Sequence, residues 1–291
     1  MKGTVFALFL LASLSLTASS PYPTVINPVI PHSYTFCGEK IDLDRVDMFE
    51  RFDRELTSLV YSHGNTLLTI KRANRDFPVM APILASHGVP RDLLYLACVE
   101  SYLNPRALSP AKAAGVWQFL PETARQYGLE VSDEVDERYH LAKATDAAAR
   151  YLKSAYDLYG DWPSAIASYN GGRARISREL DSQLASSAFD LYLTEETSRY
   201  VFRIMAMKAI LEDPRAFGFR LSDDQLYRPL VCDTVTVSGP VPSWPVWARD
   251  HGITYAQLRD ANPWIRAKSL TNKSNRAYQV LVPRPSSLRR S

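Results

Sequence analysis

Apolar positions recur with a helical period from about residue 44 to 211, and the period changes to two only past Tyr227. Val46, Phe49, Leu56, Leu59 and Val60 fall on one helical face, with Arg51, Asp53 and Arg54 mostly elsewhere, and Gly64 supplies a stop. Residues 66–87 predict one or two further helices, interrupted around Pro78 and Pro82. Gly88-Val89-Pro90 turns into the run Leu93–Tyr102, which should end near Asn104-Pro105. A helix restarts at Pro121, with Glu122 at its positive end. Leu141–Tyr159 carries a stripe of Ala144, Ala148, Tyr151, Leu152, Ala155 and Leu158, and Gly160 ends it. Asp161 caps a short helix through Tyr169, and Glu195–Leu211 is the last long helix before Pro214. Helices with no convincing strand alternation predict a mainly α, orthogonal bundle over 44–220.

The C-terminal pattern differs. Val231–Val237 alternates and is rich in β-branched residues, so it predicts a strand. Two short helices, Pro245–His251 and Thr254–Asn262, join at Gly252, and Tyr278–Val282 predicts a second strand. Residues 228–285 thus form a small βααβ, α+β domain, followed by a basic tail at 286–291. At the other end, 21–43 is Pro-rich and expected to run extended over the surface.

Residues 1–20 read as a secretory signal: Lys2, an apolar run from Val5 to Leu16, then Thr17-Ala18-Ser19-Ser20. That run is too short to span about 30 Å of hydrocarbon, and no other segment spans, so the mature chain is expected to be exported without a transmembrane segment. Cleavage falls close to Pro21. The 291 residues suffice for two domains. Net charge is +3 and much of the excess sits in Arg289-Arg290, which argues against nucleic-acid binding while allowing an anionic polymer such as a cell wall. Cys98 reads as a buried hydrophobe, whereas Cys37 and Cys232 could pair in an oxidising compartment. The three cysteines are too scattered for a zinc site, and neither a metal nor an organic cofactor is suggested.

Glu100 is the acid at the end of the apolar run Leu93-Leu94-Tyr95-Leu96-Ala97-Cys98-Val99. Partial desolvation there disfavours the carboxylate and keeps the group protonated, as a general acid requires. Three signatures follow in order: Ser109-Pro110-Ala111-Lys112-Ala113-Ala114-Gly115-Val116-Trp117-Gln118-Phe119-Leu120-Pro121, then Ala167-Ser168-Tyr169-Asn170-Gly171-Gly172, then Glu196-Thr197-Ser198-Arg199-Tyr200-Val201. Together with Glu100-Ser101 they resemble the SLT-type catalytic domain of lytic transglycosylases, with a lysozyme-like fold, and within it the membrane-bound lytic murein transglycosylase D group. The βααβ segment, with Trp247–Thr254, Leu258, Asn262 and Pro263, resembles a LysM sugar-binding module. It departs from that pattern in having Gly239-Pro240-Val241 after the first strand and a longer segment at Ile265–Arg276, so a packing or spacer role stands beside glycan binding. Ser168 before Tyr-Asn and Gly171-Gly172 after it are small departures that remove no chemical group the mechanism uses.

The resemblance implies that Glu100 cleaves the bond between N-acetylmuramic acid and N-acetylglucosamine in peptidoglycan, first as acid and then as base. The product would carry a 1,6-anhydro ring. No second acid at a comparably buried position is apparent, since Asp92, Glu122 and Asp161 read as helix-end residues. Ser101 would orient Glu100 and contact substrate, and Gly115 would allow close backbone approach. Ser109 and Gln118 would bind substrate, Gln118 offering donor and acceptor to an acetamido group. Trp117 suits the core. The Tyr169 hydroxyl would bond Glu100 or the acetamido group, Asn170 would hold the cleft wall or a sugar, and Glu196 and Tyr200 would support the floor of the site. The partner implied is the peptidoglycan glycan strand, met by a monomer in the periplasm or cell envelope. Cys37, after Tyr34-Thr35-Phe36, is no lipid-attachment context, unlike many relatives of this group. Two rivals stand beside this reading: a hydrolytic muramidase of goose-type lysozyme character, and a non-catalytic wall-binding protein.

Overall fold

The computed structural model describes residues 27–273 and 275–289. The expected leader, residues 21–26 and the last two residues of the tail lie outside them. The chain is mainly helical, with two small antiparallel strand pairs. A hairpin, β1 (Ser33–Phe36) with β2 (Glu39–Asp42), precedes α1 (Val46–Tyr61) and α2 (His63–Ser86). Then come α3 (Leu94–Ser101), α4 (Pro121–Gln126), α5 (Leu141–Tyr159), α6 (Trp162–Gly171), α7 (Arg173–Ser182) and α8 (Glu195–Glu212). The C-terminal module is β3 (Cys232–Val237), α9 (Trp244–Asp250), α10 (Tyr255–Ala261) and β4 (Tyr278–Pro283), with β3 and β4 antiparallel.

The short helix α3 is the centre of the larger core: Leu94, Leu96, Ala97 and Cys98 are fully buried. A helix apolar on all sides belongs inside a bundle, and α3 packs against α8. Helix α1 also lies along α8, but its buried face is Met48, Phe52, Leu56, Leu59 and Val60. Val46 and Phe49, assigned to that face from the sequence, are exposed. Helix α1 ends at Tyr61 with Ser62 as its cap, and Gly64 lies inside α2 instead of terminating α1.

Pro78 and Pro82 do not interrupt α2, which is continuous to Ser86. Both prolines are exposed and four residues apart, so the carbonyls they leave without a helical partner (Asn74 and Pro78) lie along one solvent-facing side, open to water. In α5 the expected stripe holds except at Leu158, which is exposed, and Gly160 closes the helix in the left-handed region.

The segment around β1 and β2 does more than run over the surface. Phe36, Ile41 and Leu43 enter the core. Lys208 of α8, itself buried, donates to the Thr35 carbonyl at 2.6 Å and pairs with Asp92 at 3.0 Å. Asp92 in turn accepts from the Cys37 backbone N–H at 2.7 Å. Cys37, Cys98 and Cys232 are all free thiols, so Cys37 and Cys232 are not bridged here.

Candidate active site

Glu100 sits on the last turn of α3, partly buried. The chain then reverses through Tyr102 (φ 52°) and Leu103 (φ 54°), two successive non-glycine residues in the left-handed region. That conformation is held by burial of Leu103 and by Arg72, which donates to the Tyr102 carbonyl at 2.9 Å. The reversal ends the helix before Asn104-Pro105 and leaves Glu100 at the edge of the core. Desolvation pushes its carboxyl up to about 7, the hydrogen bond from Tyr200 opposes this, and the negative charge of Glu196 adds to it.

Tyr200, buried on α8, donates its hydroxyl to Glu100 Oε1. Burial holds the Tyr200 phenol well above its ordinary range, so it remains a neutral donor. With Oε1 occupied as an acceptor, the carboxyl proton is left to Oε2. Tyr169, one of the residues expected to reach Glu100, instead donates to the Trp117 carbonyl at 2.8 Å. Tyr169 thereby holds α6 against the loop that carries Gln118.

That loop, residues 108–120, is folded by its own backbone. Ser109 Oγ accepts from the Ala113 N–H at 3.0 Å, and Ala114 N–H donates to the Phe119 carbonyl at 3.0 Å. Gly115 has φ +78°, and a Cβ there would fall 1.9 Å from the Arg138 carbonyl oxygen, so this position requires glycine. Gln118, at φ +49°, donates its amide nitrogen to the Gly115 carbonyl at 2.8 Å. Its amide oxygen is then available as an acceptor. Trp117 is fully buried and donates to Thr145 Oγ1 at 2.9 Å, a core role as its residue type suggested. The Ser101 hydroxyl is buried and directed at the carbonyls of Val116 (2.8 Å) and Ala97 (3.2 Å). It ties α3 to the loop.

Asn170 and Glu196 belong to one small network. Asn170 Oδ1 accepts from Thr197 Oγ1 at 2.9 Å, and its Nδ2 donates to Glu196 Oε1 at 3.4 Å. Gly171 permits this meeting of α6 and α8, because a Cβ there would lie 3.1 Å from Thr197 Cγ2. Glu196 is exposed and raises the Glu100 pKa, so a second acid does act on Glu100. It was legible only as a supporting residue.

Two charged clusters were not legible at all. Fully buried Glu55 of α1 accepts from Arg54 (3.2 Å), Arg203 (2.9 Å) and Arg199, which fixes the start of α8. Buried Arg138 pairs with buried Asp136 at 2.7 Å and donates to the Lys112 and Phe119 carbonyls at 2.7 and 3.0 Å. No His, Cys, Asp or Glu grouping among the described residues could hold a metal ion.

Residues 81–191 match the Transglycosylase SLT domain family, and residues 233–286 match the Soluble lytic transglycosylase C-terminal LysM-like domain family. The chain therefore carries an SLT transglycosylase domain followed by a LysM-like domain. It is homologous to membrane-bound lytic murein transglycosylase D of Escherichia coli K12, with 30% identity over 86% of this chain and 55% of the relative. It thus spans about half the length of that relative. Membrane-bound lytic murein transglycosylase C of Histophilus somni is 26% identical over 53% of this chain and 46% of its own length. Peptidoglycan transglycosylase gp16 of Escherichia phage T7 is 31% identical over 41% of this chain and 9% of its own.

Proposed function

We propose that this chain is a peptidoglycan lytic transglycosylase and that Glu100 is its catalytic acid and base. The observation that carries the reading is the Glu100 carboxyl, pushed up to about 7 by burial and held by Tyr200. Near neutral pH such a group is populated in both protonation states, which a residue acting in turn as acid and base requires.

The bonds and protons balance without water. Glu100 gives its proton to the glycosidic oxygen as the bond from the muramic C1 breaks. The acetamido oxygen of the same sugar bonds to C1, taking the place of a protein nucleophile. Glu100, now a carboxylate, removes the proton from the C6 hydroxyl. That oxygen attacks C1 and expels the acetamido oxygen. The product is a 1,6-anhydro muramic end and a free N-acetylglucosamine end, and Glu100 regains its proton. Gln118, with its amide oxygen free, offers an acceptor to the acetamido N–H. Ser109, Gly115 and Asn170 shape the loop and wall around that step.

The proposal includes peptidoglycan as substrate class, an envelope location and action as a monomer on glycan strands. No described helix is long and apolar enough to cross a membrane. Exposed Glu196 favours one second reading, a hydrolytic muramidase, because a solvated carboxylate near Glu100 would activate water. A Glu100→Gln variant tests the assignment. It should keep its fold and wall binding and lose roughly a thousandfold in turnover, whereas unchanged turnover would remove Glu100 from the chemistry.

A further inference from the structure

We infer that the LysM-like module acts as a positioning element for the substrate loop 108–120, a role distinct from tethering the enzyme to the wall. This rests on the transglycosylase reading for its activity readout and on geometry for the rest. The segment Ile265–Arg276, which lengthens the module beyond the LysM pattern, lies against residues 130–140 of the SLT domain. Ile265 forms an antiparallel bridge with Val135, and Arg266 N–H donates to the Glu134 carbonyl at 2.8 Å. Thr271 donates to the Glu134 carboxylate from its backbone at 3.1 Å and from its hydroxyl at 2.9 Å. Tyr278 and Arg276 both donate to Glu130, at 2.9 and 3.2 Å.

A continuous chain of contacts runs from this seam to the loop. The Trp264 carbonyl accepts from the Asp136 N–H at 2.9 Å. The Asp136 carboxylate holds Arg138, whose guanidinium donates to the carbonyls of Lys112 and Phe119 on either side of Gln118. The Arg138 carbonyl abuts Gly115. Ala114 of the loop is itself buried in the module's hydrophobic cluster with Trp244, Trp264 and Ile265. Arg138 and Asp136 are positioning residues: Asp136 holds Arg138, Arg138 touches the loop, and the loop touches substrate.

The test uses the full chain carrying Glu130→Ala with Glu134→Ala, which removes seam contacts without altering the module's core, and separately Arg138→Gln and Arg138→Lys. Substrate is a short, soluble, peptide-free glycan fragment, so wall tethering contributes nothing. The seam variant and Arg138→Gln should raise KM roughly tenfold, within the range produced by mutations along such contact chains. The pH limb set by Glu100 should stay in place, and Arg138→Lys should recover part of the loss. Amide exchange should quicken across 112–120 and stay slow in α5 and α8. Unchanged KM and unchanged loop exchange, with weaker pelleting on cell wall, would overturn the proposal and leave the module a tether. If the wild-type chain released no product from the fragment, the transglycosylase reading would fail, while loop exchange would still decide this one.

Discussion

The Tyr200 hydroxyl donates to Glu100 Oε1, joining α8 to the end of α3 across one hundred residues of chain. A neutral donor on one carboxyl oxygen favours the charged form and leaves the proton on the other. Tyr200→Phe should therefore move the Glu100 pKa above about 7. Because the first step needs protonated Glu100, kcat/KM falls as pH rises through that value. In the variant, that falling limb should shift upward by about one unit, with kcat reduced roughly tenfold by lost orientation. A pH–rate profile reads both, and a downward shift would contradict the role given to Tyr200.

The same raised pKa has a consequence for stability. An unfolded Glu titrates near its ordinary value, 4.5, and folded Glu100 at about 7. Between those values the folded state binds more protons, so stability falls as pH rises across the window. Glu100→Gln, which has no charge to desolvate, should exceed wild type by about 3 kcal/mol at pH 8. The difference should shrink toward pH 4, as followed by urea denaturation at each pH.

Gly115→Ala places a methyl 1.9 Å from the Arg138 carbonyl oxygen at φ +78°. Backbone has to move on both sides, so the substitution should cost about 3 kcal/mol or more. A urea midpoint within error of wild type would contradict the close approach.

Gln118→Ala removes the amide oxygen offered to substrate, together with the nitrogen that anchors the side chain on the Gly115 carbonyl. KM on glycan fragments should rise about tenfold, equivalent to one hydrogen bond of about 1.4 kcal/mol. The falling pH limb should not move. A kcat loss at constant KM would place Gln118 in the chemical step instead.

Much of this was legible because it is written in local patterns. Helix α5 begins at Leu141 and ends at Tyr159, where the apolar stripe and Gly160 put its ends, and Asp161 caps α6 through the Ser164 N–H. The βααβ order of the module followed from a period change and two short amphipathic runs. The residues of the four motifs are gathered around α3 and α8. Partner choice, however, is a long-range property. Nothing near Tyr169 says that its hydroxyl goes to Trp117 and leaves Glu100 to Tyr200. Glu55 and Arg138 carry no local signal, since burial of a charge depends on Arg199 and Arg203, 144 and 148 positions away, for one and on two loop carbonyls for the other. Helix α7 carries little helical signal because its arginines hide a single buried anchor, Ile176.

The central claim is that Glu100 cleaves glycan without water. Mass spectrometry of the muropeptides released from purified peptidoglycan by the chain from about residue 21 onward tests it most directly. The account predicts products lighter by one water than reducing-end muropeptides, each carrying a 1,6-anhydro ring. Hydrated reducing ends would contradict it and assign the water-activating role to Glu196.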